Sequence, residues 1–266
     1  MSRYIEYQEC EVEIGGKKVL AQSAAISINA NIEANRAYGG DFRYGQHYSA
    51  SSVETATLDL EYYIVDAGKD HIEQFTGQKY ADGKFCGIEF SGAGLTSYSV
   101  SMKPFEVVKY KATFTIYSGY DQRSNGAEGV ADPSIGRDEF YEKFANGAYS
   151  ELINFNKENI GLDFPSSIDY SVSCQRVPKY IIGDRYPRSV ALSKVERKMS
   201  IAGENIGSII SFSGKDFATV KLSPKNIDKA ARGQDVTCNG IITSQSLSVS
   251  AEGVLAGTIG IYESLR

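Results

Sequence analysis

The chain has 266 residues, of which 42% are apolar and 23% are charged, as expected for a globular protein of one large or two ordinary domains. Its net charge of −5 argues against a dedicated nucleic-acid binder, because such a protein carries a basic face. No stretch is apolar enough to predict a membrane span or a signal peptide, so we expect assembly in a cytoplasm without a membrane partner.

The first half of the chain alternates between apolar and polar residues, which indicates β-strands. Strands are predicted at residues 4–14, 20–32, 54–64 and 85–90, and a short helix within residues 66–77. In the long strands the even-numbered residues are apolar and the odd-numbered ones polar. One face of the sheet should therefore lie on a core, and the other on water or a polar surface.

Residues 33–53 break this alternation and are predicted as one long loop, which indicates function or mobility. The loop contains three glycines, two arginines and four aromatic residues. Arginine and tyrosine are enriched at protein–protein contacts, and they also stack on single-stranded nucleic acid. The acidic net charge favours the protein contact. The candidate contact residues are Arg36, Tyr38, Phe42, Arg43, Tyr44 and Tyr48.

The segments 94–119 and 241–264 match each other in pattern, and each predicts a β-hairpin. The matching pieces are Leu95-Thr96-Ser97 with Ile242-Thr243-Ser244, Ser99-Val100-Ser101 with Ser246-Leu247-Ser248, and Thr113–Tyr117 with Thr258–Tyr262. We therefore interpret the chain as two copies of one β unit. The first unit comprises residues 1–118 and the second residues 166–266.

Residues 119–165 are interpreted as a linker between the units, with a helix at 137–153 suggested by apolar residues at four-residue spacing. In the second unit we predict strands at 168–174 and 189–201, joined by a loop at 176–187. One or two short strands within 207–222 should precede a helix at 225–232, for which Ser223 is the expected N-cap. A final hairpin is predicted at 236–250 and 254–262.

Catalytic and metal motifs are missing from the sequence. His47 and His71 stand alone, without the spacing of metal ligands, and no nucleophile elbow or phosphate-binding loop is present. The pair of carboxylates at Asp59 and Glu61 is typical of a solvated strand face. The four widely spaced cysteines, Cys10, Cys86, Cys174 and Cys238, predict reduced thiols packed as small apolar groups. We expect no catalytic residue, no metal and no cofactor.

The polar faces of the predicted strands carry small neutral residues where an ordinary solvent face would carry more lysine and glutamate. Such a smooth face, repeated in both units, suits the lumen of a ring, and a plain exposed sheet is the alternative. The residues predicted to face a lumen are Ser27, Asn29, Thr57, Asp59, Ser97, Ser99, Ser171, Ser246 and Ser248.

The run Q-S-A-A-I-S-I-N-A-N-I-E-A-N-R-A-Y-G-G at residues 22–40, followed by a long loop, a strand, a helix and a closing hairpin, resembles the tail-tube fold of tailed bacteriophages. The resemblance covers both units but not residues 119–165. It implies a mainly β protein with short helices, built from two tandem tail-tube-like antiparallel β-sandwich or barrel domains. The second unit departs from the pattern, since its loop is short and contains Pro178.

The resemblance further implies a structural virion protein that is not an enzyme. Three copies would form a ring with pseudo-six-fold symmetry, and stacked rings would conduct DNA during ejection without binding its sequence. Its partners would be further copies of itself and tail sheath, baseplate or tail terminator proteins, and its location the virion tail. A baseplate hub or tube initiator is the alternative, and a ligand-binding or enzymatic all-β barrel with loop 33–53 as its lid is less favoured.

Overall fold

The structure is a computed structural model. It describes residues 12–19, 21–29, 32–36, 46–50, 55–64, 70–104, 106–118, 120–122, 148–158, 162–182, 186–206, 217–226, 236–249 and 255–265. Within these ranges no helix is long and apolar enough to cross a membrane.

The described residues are almost entirely β, which confirms the predicted mainly β, antiparallel fold class. The strands are β1 Val12–Ile14, β2 Lys17–Lys18, β3 Ala21–Asn29, β4 Ile32–Arg36, β5 Gln46–Ala50, β6 Thr55–Tyr62, β7 Ala81–Phe85, β8 Ile88–Met102, β9 Lys109–Ile116, β10 Tyr120–Gln122, β11 Ala148–Glu158, β12 Leu162–Lys179, β13 Ser189–Ile206, β14 Phe217–Asn226, β15 Val236–Val249 and β16 Leu255–Leu265. The one helix among the described residues is a 3-10 helix, Glu73–Thr76, inside the predicted helical segment 66–77.

A single 14-stranded antiparallel sheet contains every one of these strands except β4 and β5. Ten of its strands follow one another in the order β3-β6-β9-β8-β12-β13-β16-β15-β14-β11. Strand β8 is the centre of this arrangement, because it has two partners along each edge. It pairs with β7 and β12 on one edge and with β10 and β9 on the other.

The apolar face of this sheet forms the core, as the alternation predicts. The even-numbered residues of β6, β9 and the second half of β8 are buried, among them Leu58, Tyr98 and Phe114. Ile72 and Phe75, in and beside the 3-10 helix, belong to the same buried cluster. Full burial of each such side chain contributes about 1.5–3 kcal/mol, so this cluster fixes which face of the sheet is turned inward.

The predicted loop 33–53 is wrong at both of its ends, where the chain forms a β-hairpin. Strands β4 and β5 pair in antiparallel register, from Ile32 opposite Ala50 to Arg36 opposite Gln46. Main-chain hydrogen bonds join two strands whatever the period of their side chains. The lack of alternation in this segment therefore did not exclude strand pairing.

The predicted helix at 137–153 is wrong over its last residues, because Ala148–Glu158 is a strand that pairs with β14. Apolar residues four positions apart share a face of a helix, but they also share a face of a strand, whose period is two. The predicted helix at 225–232 likewise does not begin at Lys225, which lies in β14. Pro224, which has no main-chain donor, lies beyond Leu222, the last residue of β14 that pairs with β15, and opposite Leu152 of β11.

Two further predictions are corrected near Cys86. The predicted strand 85–90 is divided by a turn at Cys86-Gly87, where both residues have positive φ. This turn joins β7 to β8. Cys86 is disulfide-bonded and not a reduced thiol, whereas Cys174 and Cys238 are buried and free as predicted.

Candidate functional site

The polar face of the sheet brings together all nine residues that the sequence predicted to face a lumen. Directly opposed residues on neighbouring antiparallel strands lie on the same side of a sheet. One such row runs from Asp59 through Thr113 and Ser97 to Ser173, across four strands and both halves of the chain. Of the nine predicted residues, Thr57 and Ser99 are half-buried and the others are exposed.

Carboxylates on this face are bound to neighbouring side chains. Lys111 Nζ lies 2.8 Å from Glu61 Oε2. Thr113 Oγ1 donates a hydrogen bond of 2.7 Å to Asp59 Oδ1. The polar face therefore holds much of its charge in lateral contacts within the sheet, which reduces the charge that it offers to a ligand in front of it.

Carboxylates on the polar face also accept hydrogen bonds from neighbouring side chains at the boundary between the two halves and within the second half. Ser101 Oγ donates to Asp169 Oδ1 across the β8–β12 boundary, at 2.7 Å. Tyr262 Oη donates to Glu196 Oε1 at 2.6 Å. The ammonium group of Lys194, together with this phenol, lowers the pKa of Glu196. Both halves of the face are thus stabilised in the same manner.

The strand order of the first half is repeated in the second. Strands β3-β6-β9-β8 lie side by side in the first half, and β12-β13-β16-β15 in the second. In each series the first strand pairs with the second, and the last two form a hairpin, as predicted. The predicted match of Thr113–Tyr117 with Thr258–Tyr262 is wrong by two residues, because Leu95 lies opposite Phe114 and its counterpart Ile242 lies opposite Ile261. A β-bulge interrupts both hairpins at the same place, at Thr96 in β8 and at Thr243 in β15.

The two series meet where β8 pairs with β12, in a register that runs from Ser97 opposite Ser173 to Met102 opposite Ile168. We call this pairing the internal joint. Its apolar residues, Tyr98, Val100 and Met102 from β8 and Ile168, Tyr170 and Val172 from β12, are each 4% exposed or less. The joint thus buries apolar side chains from both halves in one core.

Several strand edges are open within the described residues, among them the outer edge of β11, which pairs with β14 alone, and one edge each of β3 and β15. Strand β3 pairs with β6 alone, so its other edge has no partner there. Strand β15 pairs with β14 only through Val236–Ile241, which leaves Ile242–Val249 open on that edge. Large apolar residues are exposed on both strands, with Ile28 37%, Leu247 41% and Val249 69% exposed.

Arg176, the first residue of the predicted loop 176–187, is buried. Strand β12 continues to Lys179, and Arg176 therefore lies inside the strand and against the core. Its Nε donates to the carbonyl of Leu95 at 2.9 Å, and its Nη2 donates to the carbonyls of Phe75 and Gly77 at 3.0 and 2.7 Å. Arg176 thereby ties β12 of the second half to the 3-10 helix and β8 of the first.

A sequence signal for Arg176 was available. The buried residues of β12 alternate through Tyr170, Val172 and Cys174, and one further step of two reaches Arg176. The space for its side chain depends on Gly94, where a Cβ atom would lie 2.7 Å from Arg176 Cδ. Both features are structural, and neither places the guanidinium group near a reactive centre.

Asp70 is a buried carboxylate that accepts three hydrogen bonds. The donors are the hydroxyl groups of Tyr62 and Tyr98, at 2.6 and 2.9 Å, and the main-chain nitrogen of Ile72, at 2.9 Å. Burial raises the pKa of Asp70, and these hydrogen bonds oppose that shift. The cluster anchors the segment before the 3-10 helix to the core. No group of three or more His, Cys, Asp or Glu side chains in the described ranges could hold a metal ion.

The predicted contact residues of the segment 33–53 are only partly described. Arg36 lies on β4 opposite Gln46, and Tyr48 lies on β5 opposite Ala34. Tyr38, Phe42, Arg43 and Tyr44 lie outside the described residues. Their role in contacts between subunits or rings stays a prediction.

Comparisons with known proteins assign no family to this chain. No family model matches its sequence, and a search of curated proteins finds no match either. The functional inference therefore depends on the repeat in the sequence, the polar sheet face and the open edges of β3 and β15.

Proposed function

We propose that this protein is a structural, non-enzymatic subunit of a phage tail tube. Copies of the chain form rings, the rings stack, and the resulting tube conducts DNA during ejection. The observation that carries the proposal is the repeated strand order within one continuous sheet, with an open edge on β3 and another on β15. Each chain then supplies two neighbouring sectors of a ring, one from each tail-tube-like domain.

The open edges of β3 and β15 are two different surfaces of the chain, and a contact between different surfaces supports a ring. Contacts between two different surfaces of identical chains generate either closed rings or open helical filaments. Closing a sheet on itself removes edges that would otherwise template aggregation. Three chains would provide six sectors, which is the pseudo-six-fold trimer that the resemblance to tail-tube proteins implies.

The polar face supports a role as the lumen. Each contact between a cation and a phosphate adds affinity for DNA, and bound DNA does not pass freely. The face is rich in serine and threonine. Two of its lysines, Lys111 and Lys194, are paired with Glu61 and Glu196, and two more, Lys109 and Lys198, are exposed on it. The chain as a whole carries a net charge of −5, which also weakens retention of DNA. A smooth and weakly charged channel is what passage of DNA requires.

The hairpin β4–β5 is assigned to contacts between subunits or rings, and tail sheath, baseplate or tail terminator proteins are the further partners. These assignments follow from the tail-tube proposal, as does the location in the virion tail. A baseplate hub would share the same ring but would not stack into a long tube.

Electron microscopy of the purified protein, combined with native mass spectrometry, tests the proposal. We expect rings with a central channel, a mass of three chains for the smallest closed species, and tubes at high protein concentration. Single rings that never stack would favour the hub. Monomers alone at every concentration would contradict a ring-forming subunit of either kind.

A further inference from the structure

We propose that the open edge of β3 in one copy pairs with the open edge of β15 in a second copy, and that this pairing reproduces the internal joint. The segments are Ala24–Asn29 of β3 and Ser244–Val249 of β15. The inference deepens the proposed function, on which it rests for the existence of self-assembly. It adds the partner surface, the direction of pairing and the register.

The β-bulges establish which residues of β8 and β15 correspond. Thr96 is the extra residue in the pairing of β8 with β9, and Thr243 is the extra residue in the pairing of β15 with β16. Counting from the bulges aligns Ser99 with Ser246. The edge of β8 that contains Ser99 is covered by β12, whereas no strand among the described residues covers the corresponding edge of β15.

The second strands of the two series establish which residues of β3 and β12 correspond. Leu58 of β6 lies opposite Phe114, and Met199 of β13 lies opposite Ile261. Phe114 and Ile261 correspond because each is the partner of the residue just before the bulge of its hairpin. Ile26 lies opposite Leu58, and Tyr170 lies opposite Met199. Ile26 therefore aligns with Tyr170, and the next residue, Ser27, aligns with its counterpart in β12.

Transfer of the internal joint to the open edges gives the register between copies. Inside the chain Ser171 lies opposite Ser99. The corresponding residues, Ser27 and Ser246, therefore lie opposite each other between copies. The full antiparallel register is Ala24 with Val249, Ala25 with Ser248, Ile26 with Leu247, Ser27 with Ser246, Ile28 with Gln245, and Asn29 with Ser244.

The composition of the two edges favours a second copy of the chain as the partner. Proteins protect an exposed edge strand with charged residues, proline or bulges. The segments A-A-I-S-I-N and S-Q-S-L-S-V contain no charged residue and no proline. In the internal joint Val100 and Tyr170 are almost fully buried, whereas Leu247, at the position of Val100, is 41% exposed. Pairing with a second copy would bury these apolar residues as the internal joint does.

A disulfide cross-link tests the register. In the double variant Ser27→Cys/Ser246→Cys we expect mild oxidation to produce covalent oligomers on a non-reducing gel. Neither single variant should cross-link beyond the unmodified chain. The out-of-register variant Ser27→Cys/Ser248→Cys should cross-link at most weakly, because residues diagonal to each other lie roughly 7–8 Å apart, beyond the usual reach of a disulfide.

The internal joint provides the matched control. In Ser99→Cys/Ser171→Cys the same kind of pair is present within one chain, and oxidation should give a monomer with faster mobility. If this control oxidises and Ser27→Cys/Ser246→Cys does not, the proposed register is overturned. Cross-linking of Ser27→Cys alone would also overturn it, since two β3 edges would then pair with each other.

The result is separable from that of the proposed function. Rings seen by electron microscopy without the expected cross-link would support the proposed tube subunit and overturn the proposed register. Cross-linked open filaments, with no closed ring under any condition, would support the register and remove the ring. Both outcomes can be read from the same preparation.

Discussion

Thr96 and Thr243 make the same hydrogen bond at the same β-bulge in the two halves of the sheet. Thr96 Oγ1 donates to the carbonyl of Thr113 at 3.0 Å, and Thr243 Oγ1 donates to the carbonyl of Gly260 at 3.3 Å. The acceptors are main-chain groups, so the interaction persists although the partner residue differs. A bulge bends a strand at a defined position, and here it does so once in each half.

Replacement of either threonine by valine should destabilise the protein by about 1 kcal/mol, the usual contribution of one hydrogen bond. Thr96→Val and Thr243→Val should have similar effects, because each removes the same interaction. Urea denaturation of the two variants measures both changes. Thr237→Val, at an exposed position of β15, is the control and should stay within about 0.5 kcal/mol of the parent chain. A change confined to one half would indicate that the bulges are not equivalent.

Leu247→Lys should weaken self-assembly by at least about tenfold while leaving the monomer folded. The side chain is partly exposed in the single chain, but it would meet an apolar residue in the proposed contact, where an unpaired charge costs a few kcal/mol. Native mass spectrometry over a dilution series measures the effect. Ile182→Lys, at a fully exposed position that belongs to neither β3 nor β15, should still form rings. Equal loss of rings in the two variants would contradict a specific role of β15.

Arg176→Met should lower the free energy of unfolding by roughly 3 kcal/mol, because it removes the donor that satisfies three main-chain carbonyls. Arg188→Met, at an exposed position of the same half, is the control and should have little effect. Thermal unfolding and urea titration measure the difference. If Arg176→Met proved as stable as the control, the link between the halves would not depend on this side chain.

Asp70 should make a pH-dependent contribution to stability, and the direction follows from its raised pKa. A carboxyl group whose folded-state pKa lies above its unfolded value, about 4, binds protons more readily in the folded state. Its contribution to folding therefore becomes less favourable as pH rises from about 4 through the raised pKa, and is constant above it. Urea denaturation of the parent chain and Asp70→Asn across this range should show their difference shifting toward the parent at lower pH. A pH-independent difference would contradict the prediction.

Conversion of Ser27 and Ser97, neither of which lies opposite a cation, to lysine should leave the fold intact and increase retention of double-stranded DNA by the assembled rings. These residues lie on the polar face, so folding does not require them to be small and neutral. Each new phosphate contact should steepen the salt dependence of DNA binding by roughly one unit of log affinity against log salt. Glutamine at the same positions is the neutral control. Loss of soluble expression in the lysine variant alone would show that these positions do not face open water.

Alternation of apolar and polar residues was sufficient to predict β6, β9, β12, β13 and the two repeated hairpins. That pattern encodes a strand and its buried face locally, because the side-chain period of a strand is two. The correspondence of Thr96 with Thr243 was likewise evident from the sequence, because the segments around them match. Apolar residues four positions apart, as at Ala148 and Leu152, satisfied the helix and the strand period equally, and the pairing of β11 with β14 resolved the ambiguity.

The partner of each strand was not encoded in such local patterns. The pairing of β8 with β12 joins residues about 70 positions apart. The alternation of apolar and polar residues within each strand does not specify this partner over another strand. Alternation along β12 places Arg176 on the buried face, but only the tertiary structure supplies the three carbonyls of the other half to which its guanidinium group donates. The edges of β3 and β15 can be recognised as open only once the pairing of the other strands is known. An edge is defined by the hydrogen bonds that a strand does not make, and no stretch of residues records these by itself.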